Sequence, residues 1–140
     1  MALPTSLTLE IVTPDRAVAF EEVDEVVIPG AEGYFGVLPG HTPLLSTLKV
    51  GQLAYRKDKE TFYLSVAFGF AEVLSERVTI LADTAERAED IDVARAEMKK
   101  RLAEEQLNRG AVDMDFERAR ISLMKALARL QVATKARIRP

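Results

Sequence analysis

The sequence has no cysteine and only one histidine among its 140 residues, and aromatic residues are few. Without cysteine there can be no disulfide bond and no thiolate metal ligand. A single histidine leaves little scope for a zinc site built from histidines. No apolar run approaches the roughly 20 residues that a membrane-spanning helix needs, and the N-terminus lacks the charged flank and apolar run of a signal peptide. We therefore expect a soluble, cytoplasmic chain of one or two small domains.

Charge is distributed unevenly along the chain, although the net charge is only −3. Residues 1–85 carry six basic and twelve acidic side chains, whereas residues 86–140 carry thirteen basic and ten acidic ones. From Arg118 to the end there are seven basic residues and no acidic one. One interpretation is a solvated helix face with a frayed tail, and the other is a basic surface that binds an acidic partner.

The first 85 residues predict a series of short β-strands. Apolar and polar residues alternate through Leu7, Leu9 and Ile11, as they do in a half-buried strand. Similar runs occur at 18–20, 23–28, 45–50, 53–55, 62–66, 71–74 and 78–81. Gly69 interrupts one run and indicates a bulge or the close approach of another backbone. Short strands separated by frequent turns predict an antiparallel β-sandwich or flattened barrel over residues 1–85.

Residues 86–140 predict an antiparallel hairpin of two helices between Asp90 and Ala136, because Ala, Glu, Lys and Arg replace the β-branched residues there. Asp90 and Asp113 are the expected N-caps, and Gly110 suits a left-handed C-cap. The expected apolar stripes are Ile91, Ala94, Met98 and Leu102 in the first helix and Phe116, Leu123, Leu127 and Leu130 in the second.

This hairpin is expected to be held weakly. Two helices cannot enclose their own apolar stripes, so the hairpin must lean on another part of the molecule. Both stripes are thin, and burying one leucine contributes only about 1.5–3 kcal/mol. We therefore expect a ligand or partner to be able to move the hairpin.

The segment 29–45 contains glycines at 30, 33 and 36 that imitate a phosphate-binding loop. Such a loop works only at the start of a helix, and Pro39 and Pro43 prevent a helix from starting there. The glycines are expected to provide positive φ angles in tight corners. His41 has no evident serine or cysteine partner, and we interpret it as a structural hydrogen-bonding residue rather than a catalyst.

Three motifs in the same order resemble the epsilon subunits of the F-type ATP synthase. They are Gly33-x-x-Gly36-x-x-Pro39-Gly40-His41-x-Pro43-Leu44-Leu45, then Leu81-Ala82-Asp83-Thr84-Ala85, then Ile91-Asp92-x-x-Arg95-Ala96. The resemblance implies a non-catalytic rotor subunit of the central stalk that needs no cofactor and lies, as a peripheral protein, at the cytoplasmic face of the cell membrane. Its sandwich would bind the gamma subunit and the c-ring, with Glu32, Tyr34 and His41 as contact residues. The plainer alternative for each of these three is an ordinary exposed turn.

Arg118, Lys125 and Arg129 share one face of the second predicted helix, because offsets of seven and four residues return to nearly the same angle. We call these three residues the basic face. The resemblance implies that this face meets an acidic loop of the catalytic beta subunit and blocks ATP hydrolysis. The partners implied in all are the gamma subunit, the c-ring and the alpha and beta subunits, with membrane contact only through the complex.

The third motif also resembles the ATP-binding motif of some bacterial epsilon subunits. The resemblance implies ATP as a regulatory ligand held by Glu86, Ile91, Asp92, Arg95, Ala96, Lys125 and Arg129. This chain departs from the strong binders, because Lys125 and Leu102 stand where they have arginine, and lysine lacks the planar fork that grips phosphate oxygens. The alternative is that Asp92 and Arg95 are only an i,i+3 helix pair.

Three other functions are weighed from the sequence alone. An enzyme is disfavoured because no nucleophile–base pair, metal-ligand spacing or nucleotide-binding loop is present. A nucleic-acid module is disfavoured by the acidic first half and the few aromatics available for stacking, so no nucleic-acid partner is expected. A sandwich with a dimerising coiled-coil tail remains a third alternative.

Overall fold

The computed structural model describes residues 3–110 and 112–136. Eight strands come first, followed by a short 3₁₀ turn and two helices. The strands are β1 Leu7–Val12, β2 Ala17–Val23, β3 Glu25–Gly30, β4 Gly33–Val37, β5 Leu44–Leu48, β6 Gly51–Lys57, β7 Glu60–Val73 and β8 Arg77–Arg87. The 3₁₀ turn is Ala88–Asp90, and the helices are α1 Val93–Asn108 and α2 Asp113–Ala136.

The strands form a β-sandwich with the order β2-β1-β8-β7-β5-β3-β4, and β6 pairs with β3 and β7. All these pairs are antiparallel except β1 with β8, which is parallel. The side chains that alternate inward from all eight strands make one apolar core, in which Leu7, Leu9 and Ile11 are fully buried. The β-sandwich followed by a two-helix hairpin confirms the predicted fold class.

The long strand β7 changes partners halfway along its length. Its first half pairs with β6 and its second half with β5, and the change falls at Phe68 and Gly69. Gly69 has a φ of +114°, and a Cβ there would collide with the carbonyl oxygen of Leu81. The pairing register with β8 is the same on both sides of Gly69. Gly69 therefore marks a close approach of backbones rather than a bulge.

The structure contains one strand that the sequence patterns do not predict. Strand β4 lies inside the glycine-punctuated segment and pairs with β3 in a hairpin that turns at Ala31 and Glu32. Of the three glycines expected to have positive φ angles, only Gly33 does; Gly30 and Gly36 are strand residues, and the later Gly40 also has a positive φ. The frequent glycines masked the alternation of Tyr34, Phe35 and Val37.

The ends of α1 are only partly as predicted. Asp92, not Asp90, is the N-cap, and its carboxylate accepts a hydrogen bond from the Arg95 backbone N–H at 3.0 Å. Asp90 belongs instead to the 3₁₀ turn. The predicted C-cap is confirmed, because Gly110 has a φ of +77° and its N–H donates to the Leu107 carbonyl. The side chain of Asp113 lies outside the described residues.

The predicted apolar stripes are only partly confirmed: Ile91 is buried and Leu123 and Leu130 are half-buried, but Phe116 and Leu127 are exposed. Met98 and Leu102 are 55% and 53% exposed, whereas Ala96 and Ala103 are the buried residues of α1. In α2 the buried residues are likewise small, and they are Ala119, Ala126, Ala128, Val132 and Ala133. Small side chains let helices approach closely, so the buried positions of this hairpin are mainly alanines, while Met98 and Leu102 remain exposed.

The hairpin lies on the sandwich through α2. This helix contacts β6, β7 and the 3₁₀ turn, while α1 packs against α2. Strand β8 continues through Arg87, because Glu86 and Arg87 still pair with Ser65 and Leu64 of β7. The last strand therefore runs two residues past the boundary expected after residue 85. No helix in the described part of the chain is long and apolar enough to cross a membrane.

Candidate functional site

Helix α2 docks on the outer face of the sandwich through two small apolar patches. The first patch joins Ala128 of α2 to Val50 and Ala67, with Phe68 and Met124 at its margin. The second joins Val132 and Ala133 to Ala88 and Ile91, with Tyr63, Val93 and Ala136 at its margin. Two cation–π contacts flank the patches: Lys125 Nζ lies 5.7 Å from the Phe68 ring centre, and Lys135 Nζ lies 4.9 Å from that of Tyr63. Alanine and valine bury little area, so the apolar part of this interface is modest.

One ion pair lies between the two apolar patches. Arg129 Nε donates to Glu86 Oε1 at 2.6 Å, and the two side chains are 22% and 31% exposed. Glu86 stands near the end of β8, and Arg129 is 43 residues later on α2, so this contact ties the helix to the sandwich. A charge-assisted hydrogen bond in a partly buried position is stronger than an exposed ion pair.

The basic face points largely toward the rest of this chain. Arg129 binds Glu86, and Lys125 lies over Phe68. Arg118 is exposed and lines a cavity of about 510 Å³ at the helical turn. Two of the three residues expected to contact a partner are thus engaged by the sandwich while the hairpin is docked.

Five of the seven residues expected to bind ATP line one small cavity beside the ion pair. They are Glu86, Asp92, Arg95, Ala96 and Arg129, and the cavity volume is about 140 Å³. Sites for whole drug-sized ligands have roughly 300–1,000 Å³. The other two residues lie elsewhere: Ile91 is buried in the second apolar patch, and Lys125 is at Phe68. In the docked hairpin the cavity can therefore take only part of a nucleotide.

The expected contact residues of the sandwich lie at two opposite ends of it. Glu32 is exposed in the β3–β4 turn, next to Tyr34, whose hydroxyl accepts a hydrogen bond from the Gln52 backbone N–H at 3.1 Å. His41 follows the other end of β4, where neighbouring Gly40 donates to the Ser75 carbonyl. The His41 ring contacts the Thr42 carbonyl oxygen at 2.6 Å, which is the structural type of contact we expected.

An exposed apolar surface, which the sequence patterns did not predict, lies on the second half of β7 and the first half of β8. Phe70 and Leu81 are neighbours on β7 and β8, and each is 52% exposed. Together with Val12 and Pro14 they line a groove of about 360 Å³. The signal was available, because these residues occupy the solvent-facing positions of alternating strands, where polar residues are expected.

A partly buried polar cluster lies in the sandwich next to Glu86. The hydroxyl of Tyr55 donates to Glu21 Oε2 at 2.5 Å and accepts from Arg87 at 3.0 Å. Burial and the Glu21 carboxylate raise the pKa of Tyr55 to about 12. The same hydrogen bond, with help from Lys57 and Arg87, lowers the pKa of Glu21. Arg87 is thereby fixed directly beside Glu86.

Comparison with known proteins gives the same division of the chain. The beta-sandwich domain of the ATP synthase delta/epsilon chain matches residues 6–88, and the long alpha-helix domain of that chain matches residues 89–134. The ATP synthase epsilon chain of Nitratidesulfovibrio vulgaris is 50% identical over 94% of this chain and 98% of its own length. That of Syntrophobacter fumaroxidans is 50% identical over 92% and 96%.

Solved structures share the fold at low sequence identity. A chain of the Euglena gracilis mitochondrial ATP synthase matches 99% of this chain and 85% of its own length, with a TM-score of 0.81 and 21% identity. A chain of the Tetrahymena thermophila enzyme matches 97% and 98%, with a TM-score of 0.56 and 14% identity.

A sandwich that carries a lightly packed helical hairpin is thus the architecture of a class of rotary ATPase subunits. The chain belongs to the ATP synthase delta/epsilon family. Its relatives at about 50% identity, which it matches over nearly their whole length, are epsilon chains.

Proposed function

We propose that this chain is a non-catalytic rotor subunit in the central stalk of the ATP synthase, with a hairpin that inhibits ATP hydrolysis when it leaves the sandwich. Its partners are the gamma subunit, the c-ring and the alpha and beta subunits. It lies at the cytoplasmic face of the cell membrane as a peripheral protein held through the complex. The observation that carries the proposal is that Arg129 and Lys125 of the basic face contact the sandwich in the docked hairpin, while Arg118 is exposed.

This arrangement couples docking to inhibition. While Arg129 binds Glu86 and Lys125 lies over Phe68, neither cation is available to an acidic partner. Undocking exposes both of them beside Arg118. Opposite charges then fix the register of the helix on the beta subunit, and apolar contacts hold it there. The docked state is active and the released state is inhibitory.

Two single substitutions with opposite effects test this coupling. Glu86→Gln loosens the docked hairpin but keeps the basic face, so it should increase inhibition of ATP hydrolysis. Arg118→Glu leaves both docking contacts intact and should weaken inhibition, more visibly at low salt because exposed charges are screened. The measurement is the hydrolysis rate of enzyme reconstituted with each variant. Equal rates, or effects of the same sign, would contradict the proposal.

The sandwich is proposed to carry the static contacts of the rotor. The exposed apolar groove at Phe70 and Leu81 suits the gamma subunit, because contiguous exposed apolar surface often marks a protein interaction site. The end with Glu32 is proposed to face the c-ring. Glu32→Cys should therefore crosslink to a polar loop of the c-subunit in the assembled enzyme. Lys59→Cys, which is also exposed but lies in the β6–β7 turn, is the matched control.

ATP sensing is proposed at the cavity beside the ion pair. Its lining combines Asp92, Arg95 and Arg129. The Asp92 carboxylate can accept a hydrogen bond from an adenine amino group, and the two arginines can donate to phosphate oxygens. Because Arg129 already binds Glu86 and the cavity is small, nucleotide must share Arg129 with that carboxylate and widen the cavity to enter. Weak binding is expected. If ATP binds only the docked form, a 100-fold excess over its dissociation constant stabilises that form by about 2.7 kcal/mol.

Calorimetry on the isolated subunit tests ATP binding directly. Asp92→Ser is the informative variant, because serine is as good an N-cap as aspartate and leaves α1 intact, whereas its shorter side chain removes the carboxylate from the ligand. Loss of binding in this variant would assign Asp92 to the ligand. The absence of heat for the parent chain at millimolar ATP would exclude a useful site and would leave Asp92 as an N-cap alone.

A further inference from the structure

A row of polar side chains runs beneath α2, between the two apolar patches. Gln52 of β6 pairs with Ser65 of β7, and Ser65 pairs with Glu86 of β8. Their strand neighbours Leu53, Leu64 and Ala85 belong to the sandwich core, so these three side chains leave the sheet on its outer face. We call Gln52, Ser65 and Glu86 the polar row.

Helix α2 covers this row. Along β7 the outward-facing residues are Tyr63, Ser65 and Ala67, of which the first belongs to the second apolar patch and the last to the first patch. Ser65, between them, is 8% exposed and is the one buried polar residue of the described sandwich. Ser65 therefore lies inside the docking interface, and its half-buried neighbours Gln52 and Glu86 flank it on β6 and β8.

One polar atom of the row lacks a hydrogen-bond partner among the described residues while the hairpin is docked. Glu86 has Arg129 as its partner. Gln52 Oε1 is buried, and no group in the described ranges donates a hydrogen bond to it. A buried polar atom without a partner lowers the stability of the state that buries it, and that loss is recovered when water reaches the atom.

We propose that the polar row keeps the hairpin releasable, because Gln52 opposes docking while the Glu86–Arg129 pair sets the position of α2. An apolar residue at Gln52 would remove the unpartnered polar atom and extend the first apolar patch, which includes Val50 two positions earlier. The docked state would then gain stability, and the released state, in which this position faces water, would not. The proposal rests on the proposed function only in treating the hairpin as a movable element.

A cysteine reporter in the otherwise cysteine-free chain measures hairpin opening. Ala128→Cys places a thiol in the first apolar patch, where the native residue is 8% exposed, so a thiol reagent reaches it only after undocking. Ala19→Cys on β2 places a thiol in the sandwich core and reports global unfolding. When closing is faster than labelling, each rate is proportional to the population of the open form.

Gln52→Met in the Ala128→Cys chain is the test, because methionine is unbranched and adapts to irregular packing. Labelling should become about 5- to 30-fold slower, which corresponds to one or two kcal/mol. Labelling of the Ala19→Cys chain, which reports a rarer opening, should slow by the same factor, because global unfolding also starts from the docked state. Gln52→Leu is a second apolar variant. Gln106→Met, at an exposed position of α1, is the matched control and should leave both rates unchanged.

Unchanged or faster labelling at position 128 in both apolar variants would overturn the proposal. Slowing of the Ala19→Cys reporter without slowing of the Ala128→Cys reporter would also overturn it, since the substitution would then stabilise the sandwich equally in the docked and released states. The isolated subunit has no partner in this experiment. Failure here is therefore distinguishable from failure of the inhibition model, which is read from the hydrolysis rate of the assembled enzyme.

Discussion

The Glu86–Arg129 pair allows the strength of docking to be worked out from one contact. We expect a double-mutant cycle of Glu86→Gln, Arg129→Gln and the combined variant to give a coupling free energy of about 1–2 kcal/mol. The 2.6 Å distance and roughly one-quarter exposure place the pair between two limits. Exposed pairs contribute about 0.2–1 kcal/mol, and hydrogen bonds to charged groups about 1.5–3 kcal/mol.

The assay for this cycle is thiol labelling of the Ala128→Cys chain. Each single variant should speed labelling about 5- to 30-fold, because 1–2 kcal/mol changes the opening equilibrium by that factor. The combined variant should be little faster than either single one, because the second change removes a partner that is already lost. Raising the salt concentration should reduce the coupling free energy only in part, since the two side chains are only about one-quarter exposed to solvent.

The result that would refute this reasoning is additivity. If the two substitutions speed labelling independently, the side chains do not stabilise docking through each other. Glu72→Gln is the matched control, because Glu72 is an exposed carboxylate on the part of β7 that pairs with β5, away from α2. It should leave the labelling rate unchanged.

Three predictions concern the sandwich. Gly69→Ala should lower the free energy of unfolding by more than about 2 kcal/mol in urea titrations, because strain at positive φ adds to a backbone collision; Gly33→Ala, where a Cβ meets nothing within 4 Å, should cost less. Tyr55→Phe should cost about 1–3 kcal/mol in the same assay, because Glu21 loses a buried donor. The folded protein lowers the pKa of Glu21 below its ordinary 4.5, so ionised Glu21 contributes fully to the free energy of unfolding above that pH. This contribution should fade as the pH falls toward the folded pKa, and Glu21→Gln should flatten this part of the plot of stability against pH.

Local patterns in the sequence were sufficient for the class of fold and for several turns. Alternation through Leu7, Leu9 and Ile11 has a period of two, and the change of composition after residue 84 marks the helices. Gly110 and Gly69 were interpretable because each position requires a backbone geometry that other residues resist. These signals act within a few residues of the chain, so they survive without knowledge of the rest of the molecule.

The site depended on contacts that no local pattern contains. Periodicity placed Arg118, Lys125 and Arg129 on one face but could not show that this face turns toward the sandwich. Apolar stripes suggested Met98 and Leu102 for the interface, where the structure has alanines.

What the sequence by itself determined is therefore the elements and their order, together with the glycines that shape the turns. Only the tertiary structure decided which helix face is buried, that Glu86 meets Arg129 from 43 residues away, and that Gln52 lies under α2 without a partner. The physical reason is that docking joins surfaces from distant parts of the chain. Whether a residue favours or opposes docking depends on a small difference between the cost of its desolvation and the gain from its new contacts. Both arise only when the two surfaces meet.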